Sequence, residues 1–261
     1  MKLCVAIPCF FGDLPFEAAV ERVAALGYGY AEIYDWRRLS LPSATRALEK
    51  SGVTLLSMCT TEFRLTDPAC RGLWVGGIRE SCEAAAALGV KKLITQVGPD
   101  TGASRGEQRR SVVAGLKAGA EILEQAGVTV MIEPLNTKVD HPGYFLTSSA
   151  EAFDIVREVN SPNVKAVFDI YHQQISEGNV IPNVTQNLDC IAHLHAAGHP
   201  GRHELQFGEN DYRNIFAAVD RAGYAGACGL EYNPLLAPEE SLAAAKRLYG
   251  CVPCREEGGR P

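Results

Sequence analysis

Along the chain, short runs of apolar, β-branched and aromatic residues alternate with longer segments whose apolar positions recur every three or four residues. The first pattern predicts strands buried on both faces, and the second predicts helices with one apolar side. Eight runs fit a strand, at 3–10, 30–36, 54–60, 92–98, 129–135, 164–170, 191–197 and 226–232. A helical segment follows each. At 15–26, for example, Phe16, Ala19, Val20, Val23 and Leu26 mark a single face. Several helical segments stop at a glycine shortly before the next strand, in Leu26-Gly27-Tyr28, Ser51-Gly52-Val53, Leu88-Gly89-Val90, Ala126-Gly127-Val128 and Ala222-Gly223-Tyr224. Glycine supplies the left-handed residue that closes a helix, so the repeated signal reads as the return from a helix to a parallel strand.

Eight such units in 261 residues predict an α/β fold, a single (β/α)8 barrel of the TIM type, with its chemistry at the C-terminal ends of the strands. The barrel is expected to span 1–250, with 251–261 as a flexible C-terminal tail. An open, doubly wound sheet is the structural rival. It calls for a glycine-rich phosphate turn after the first strand, and Pro8-Cys9-Phe10-Phe11-Gly12 is not one.

Composition narrows what such a barrel does. With 31 acidic residues against 25 Lys and Arg, the net charge is -6 and no basic face is available for a phosphate backbone, so nucleic acid is not an expected partner. No apolar run approaches the ~18 residues of a membrane span, and the N-terminal run is too short for a signal peptide, so a cytoplasmic protein without membrane contact is expected. The nine cysteines are odd in number. Cys4, Cys9, Cys59 and Cys228 fall within strand-like runs and are read as reduced packing residues. Cys251 and Cys254 form a CxxC in the tail, with no second Cys or His pair to complete a tetrahedral site. Trp36, Phe63 and Trp74, in the segments after strands, are candidates for a pocket lining or a partner surface, and a homo-oligomer is the expected assembly.

Candidate chemistry comes from the residues that close the strand runs. Glu133 follows Val128-Thr129-Val130-Met131-Ile132, Asp169 follows Val164-Lys165-Ala166-Val167-Phe168, His195 follows Ile191-Ala192-His193-Leu194, and Glu231 follows Cys228-Gly229-Leu230. Strands five to eight are neighbours in the barrel, so three carboxylates and an imidazole gather in one confined space, a costly arrangement that a bound cation resolves. Carboxylate-rich donors suit one divalent metal, Mg²⁺, Mn²⁺ or Co²⁺ in preference to Zn²⁺. His172, three residues past Asp169, is placed to reach a substrate oxygen. Arg202, beside His199 and His203 in the loop after strand seven, is a candidate clamp for a carboxylate. His193 is expected to face away from His195 and to pack as a satisfied core histidine.

Six motifs then carry a resemblance. They are Glu133-Pro134-Leu135-Asn136, His141-Pro142-Gly143-Tyr144-Phe145-Leu146, Asp169-Ile170-Tyr171-His172, Pro200-Gly201-Arg202-His203-Glu204, Gly208-Glu209-Asn210-Asp211-Tyr212 and Gly229-Leu230-Glu231-Tyr232. In these the second half of the chain resembles the hydroxypyruvate isomerase family, within the xylose-isomerase-like sugar isomerases and epimerases. The resemblance implies that Glu133, Asp169, His195 and Glu231 bind the metal, that Glu133 and Glu231 are the catalytic acid/base pair, and that His172 and Arg202 contact substrate. The chain departs from that family at His195, where hydroxypyruvate isomerases carry glutamine and ketose 3-epimerases carry histidine, and its loop between Glu204 and Gly208 looks shortened. It departs from the epimerases at Val139, where they carry glutamate.

The expected reaction is isomerisation of a small sugar or hydroxy-oxo acid, an α-hydroxy carbonyl compound, through an enediolate. Hydroxypyruvate to tartronate semialdehyde is the leading case. Ketose 3-epimerisation and a metal-dependent lyase or dehydratase reaction are the alternatives on the same scaffold.

Overall fold

The computed structural model describes residues 1–250. In chain order the elements are β1 (Lys2–Ala6), α1 (Ile7–Phe11), α2 (Phe16–Ala25), β2 (Tyr30–Glu32), α3 (Leu41–Ser51), β3 (Thr54–Cys59), α4 (Arg71–Leu88), β4 (Lys92–Thr95) and α5 (Arg105–Ala126). There follow β5 (Thr129–Ile132), α6 (Ser149–Val159), β6 (Val164–Asp169), α7 (Ile170–Ser176), α8 (Val180–Thr185), β7 (Ile191–Ala196), α9 (Tyr212–Arg221), β8 (Ala227–Leu230) and α10 (Pro238–Gly250). All eight strands pair in parallel, each with its neighbour in sequence, and β1 returns to β8 with Lys2 opposite Ala227 and Val5 opposite Leu230. That last pairing closes the barrel and removes the open-sheet alternative. The tail 251–261, with Cys251 and Cys254, lies outside the described residues.

The strands are shorter than the apolar runs that announce them. β1 stops at Ala6 and the chain turns at once into α1, so Cys9 sits in a helix, with Pro8 in the first turn where a missing N–H leaves no bond unmade. β2 ends at Glu32, and the run continues through irregular backbone at Ile33–Asp35 into a 3₁₀ turn at Trp36–Arg38, opened by the Asp35 carboxylate accepting from the Arg37 backbone N–H. Beyond the barrel rim an apolar run has no neighbouring strand to pair with. Its residues there cover the mouth instead.

Strand register divides the side chains into two sets, because residues paired in a parallel ladder share a face and alternate along each strand. Pairing Ala6 with Glu32, Glu32 with Ser57, Cys59 with Ile94, Ile94 with Met131, Val167 with His193 and His195 with Gly229 traces one set around the barrel. Ile94, Met131 and Val167 form a small apolar cluster of their own, with Cys59 against it. The opposite set, including Val130, Ile132, Phe168, Leu194 and Leu230, joins the helices in the main core. Trp74 belongs to that core: it is fully buried on α4, with Nε1 donating to Thr95 Oγ1 at 3.1 Å, and so lines no pocket. The interior set is polar toward the C-terminal end of the strands. There the barrel holds its chemistry.

Candidate active site

Four side chains singled out by the strand-end pattern meet at the C-terminal mouth. Glu133 follows β5, Asp169 ends β6, His195 lies one residue before the end of β7, and Glu231 follows β8. One ligand-type atom from each lies within 4.8 Å of all the others. His195 stands between the glutamates, with Nδ1 3.1 Å from Glu133 Oε1 and 3.2 Å from Glu231 Oε2. Asp169 divides its oxygens. Oδ1 caps α7, accepting from the backbone N–H groups of Tyr171 at 2.7 Å and His172 at 3.3 Å, while Oδ2 lies 3.7 Å from Arg202 Nη2.

Burying three carboxylates together demands positive charge. Burial alone would keep His195 neutral, but Glu32, Glu231 and Glu133 overcome it and raise its pKa well above the ordinary imidazole value. Burial also opposes the charge on Glu231, and His195 and Arg202 outweigh it, holding that carboxyl well below the usual range. Asp169 goes the other way, pushed up by burial against the pull of Arg202. The donors fit a divalent cation of the oxygen-preferring kind. On its own the cluster draws positive charge from a protonated His195 and from Arg202; a doubly charged ion among the same atoms would take over that role and leave His195 neutral.

Arg202 reaches the cluster through a left-handed backbone, with φ of 56°, and its carbonyl accepts from the Asn233 N–H at 2.8 Å. Its guanidinium lies 5.1 Å over the Tyr171 ring and donates to Glu231 Oε2 at 2.6 Å. Tyr34 donates to Oε1 of the same carboxylate at 2.7 Å, so both Glu231 oxygens are held. The two histidines beside Arg202 in the loop do not join it at Glu231. His203 turns to the Asn233 carbonyl at 2.8 Å, and His199 packs edge-on to Tyr171.

His172 is buried on α7, with Nδ1 2.7 Å from Asn136 Nδ2. An amide nitrogen only donates, so Nδ1 is the acceptor and the ring proton sits on Nε2, 3.6 Å from Asp169 Oδ2. Burial, reinforced by Arg202, lowers its pKa to about 4, so the ring is neutral near pH 7. A cavity of about 400 Å³ opens over these groups, its polar wall including Glu133, His172, His195, Arg202 and Glu231 and its apolar wall Trp36, Phe63, Ile94 and Leu135.

Two features of the site escape the sequence pattern. His193 does not face away from His195. Residues two apart on a strand share a face, and the two rings lie 5.0 Å apart, edge to face. Both turn to Glu32, which is 1% exposed at the end of β2 and whose Oε2 lies 2.9 Å from His193 Nε2. A carboxylate inside the apolar run Tyr30-Ala31-Glu32-Ile33 is the signal that marks it. Tyr34, two residues on, gives no comparable signal.

A closed parallel barrel with a buried, ionised cluster and a substrate-sized cavity at its C-terminal mouth defines a TIM-barrel enzyme. Residues 20–248 match the family model described as "Xylose isomerase-like TIM barrel". The 2-oxo-tetronate isomerase of Pectobacterium atrosepticum is 33% identical over 259 residues, covering 94% of this chain and 97% of that protein. Hydroxypyruvate isomerase of Escherichia coli is 29% identical, over 93% of this chain and 97% of that one. Among solved structures, "AP endonuclease, family 2" from Brucella melitensis superposes with a TM-score of 0.90 at 26% identity, covering 95% of this chain and 99% of that one. The chain belongs to the xylose isomerase-like TIM barrel family, and it is an isomerase on that barrel.

Proposed function

We propose that the protein is a metal-dependent isomerase of small α-hydroxy carbonyl compounds, acting through an enediolate, with hydroxypyruvate to tartronate semialdehyde as the leading reaction. The observation that carries this reading is the pair Glu133 and Glu231 flanking His195, with one oxygen of each within about 3 Å of the same ring nitrogen and both facing the cavity. Glu133, Asp169, His195 and Glu231 would hold the ion, which when bound polarises the substrate carbonyl and stabilises negative charge on the oxygens beside it.

The chain's own groups supply the rest. One glutamate takes the proton from the hydroxyl-bearing carbon, and the same or the opposite carboxylate returns it to the neighbouring carbon. Tyr34 and Arg202 fix the Glu231 carboxylate at both oxygens, which favours its ionised form as a base. The neutral Nε2–H of His172 is a donor for a substrate oxygen. Arg202, already at the cavity wall, is the group placed to meet a substrate carboxylate. Trp36 and Phe63 shield the mouth from water.

Ketose 3-epimerisation is the second reading, favoured by the volume of the cavity, which exceeds a three-carbon acid, and by histidine at 195. In that case the proton returns to the carbon it left, from the other side. An endonuclease reading is disfavoured by the net charge of -6.

Proton exchange in D₂O, followed by NMR, tests the proposal. Metal-reconstituted protein is given hydroxypyruvate, 2-oxo-tetronate and a small set of ketoses, alongside Glu231→Gln. Deuterium is expected at the carbon beside the carbonyl of one substrate, only with metal, and at a rate at least about 100-fold lower in the variant. Metal binding without exchange on any substrate would reject the enediolate route on these substrates, and the identity of an exchanging product separates isomer from epimer.

A further inference from the structure

Beneath the cluster, against His195, lie three buried polar residues that the proposed chemistry does not use: Glu32, Ser57 and His193. Glu32, Ser57, His193 and His195 all project from the barrel wall into its interior. Glu32 Oε2 accepts from Ser57 Oγ at 2.8 Å and lies 2.9 Å from His193 Nε2. Glu32 Oε1 lies 3.4 Å from His195 Nε2, and each of these two buried atoms has no hydrogen-bond partner. A buried carboxylate oxygen and a buried ring nitrogen left facing each other are a donor and acceptor waiting to close. The wall beside them is cleared for that approach. A Cβ on Gly229 would come within 2.7 Å of His195 Cδ2 and would overlap Glu32 Oε1.

We propose that Glu32 is a positioning residue for His195: it takes the Nε2–H and thereby aims Nδ1 at the place among Glu133, Asp169 and Glu231 where the ion would sit, leaving that nitrogen free to serve as a ligand when the ion binds. His193 and Ser57 hold the other oxygen of Glu32, so the carboxylate cannot swing away. A histidine that offers one nitrogen to a metal needs its other N–H fixed by an acceptor, which sets the tautomer and the ring plane. Glu32, His193 and His195 could alternatively bind an ion of their own, since their donor atoms also cluster within 4.8 Å. Against this, Oε2 is already engaged twice and the three residues are at most 1% exposed, so the additional ligands a cation requires would have to be waters buried with it.

The inference rests on the metal reading of the cluster above, and the test separates the two. Co²⁺ is titrated into the metal-free full chain and into Glu32→Gln, with affinity and visible spectrum as readouts and circular dichroism to verify folding. The variant is expected to bind one Co²⁺ about 10- to 100-fold more weakly, with a shifted spectrum. Equal affinity and an unchanged spectrum in the folded variant overturn the positioning role alone. A wild-type chain that binds no Co²⁺ overturns the metal reading and this one with it. A second equivalent of Co²⁺ lost in the variant assigns Glu32 to a separate ion site instead. Should Glu32→Gln fail to fold, ¹⁵N-histidine NMR of the wild-type chain loaded with Zn²⁺ decides the matter: a proton retained on His195 Nε2 supports the role, and a proton on Nδ1 refutes it.

Discussion

At the scale of single residues, the site is a balance of charge in which Arg202 carries unusual weight. It lines the cavity against both Glu231 and Asp169 and is mostly buried there, whereas Arg37, the other arginine of the cavity lining, pairs with Asp35. Removing one partner from a buried pair leaves the other charge uncompensated, at a cost of about 3–5 kcal/mol. Arg202→Leu is therefore expected to lower the thermal midpoint of the metal-free protein sharply, and added Mn²⁺ or Co²⁺ to restore most of the loss. A variant as stable as the wild type without metal would show that His195 alone meets the charge demand. The four clustered residues were legible in the sequence because each closes an apolar run, and strand neighbours in a barrel place such ends side by side. Glu32 was not, because its partners stand on β3 and β7 and no spacing along the chain connects them. Tyr34 shares that difficulty, since it acts from a loop whose path follows from packing; Arg202 was legible as a carboxylate clamp, but its pairing with Glu231 was not.

Elements show how tightly the helices must seat for the mouth to form. On α5 Gly119 faces α4, and a Cβ there would come within 2.6 Å of Trp74 Cζ3. In an exposed helix, alanine would improve on glycine by about 1 kcal/mol. Here the fully buried indole has nowhere to move, so Gly119→Ala is expected to destabilise by about 1–3 kcal/mol in urea denaturation. A gain in stability would mean that α4 shifts freely on α5. Loops are fastened as firmly. The buried Glu204 carboxylate, in the loop after β7, accepts from the backbone N–H groups of Leu235 at 3.0 Å and Leu236 at 2.9 Å after β8. Burial opposes its ionisation, and those N–H groups prevail, so its pKa is lowered in the folded chain. As pH falls the unfolded chain takes up this proton first. The contribution is complete above the ordinary glutamate pKa and disappears as pH drops through the lower folded value. Glu204→Gln should thus be less stable than wild type by about 1–3 kcal/mol at pH 7, with the gap narrowing toward pH 3. Urea midpoints of both proteins across that range check the sign.

For the whole molecule, the sequence carried the architecture further than its details. Eight alternating units, and the glycines that end helices, such as Gly52 at φ 72° and Gly127 at φ 61°, were enough to predict a barrel. Strand lengths were overestimated, as at 3–10 and 30–36, because an apolar run records burial and is silent on whether a sheet or a loop does the burying. The assembled barrel also makes a global prediction. If the mouth binds a divalent ion only when folded, saturation at 100 times the dissociation constant adds about 2.7 kcal/mol to stability. A chelator should reverse that gain, and Glu133→Ala should abolish it; calorimetric scans with and without Mn²⁺ read both.

Closure of the barrel by β1 against β8 joins residues more than 200 positions apart. Such a contact forms only once the intervening chain is made, and loop-closure entropy delays it further. Glu231 stands just past β8, so a growing chain that has left the ribosome as far as β7 already carries Glu133, Asp169 and His195 but cannot assemble the site. Catalytic competence therefore arrives with the final strand, and partial translation products or fragments ending before it are inert, with no separate inhibitor needed to keep them so.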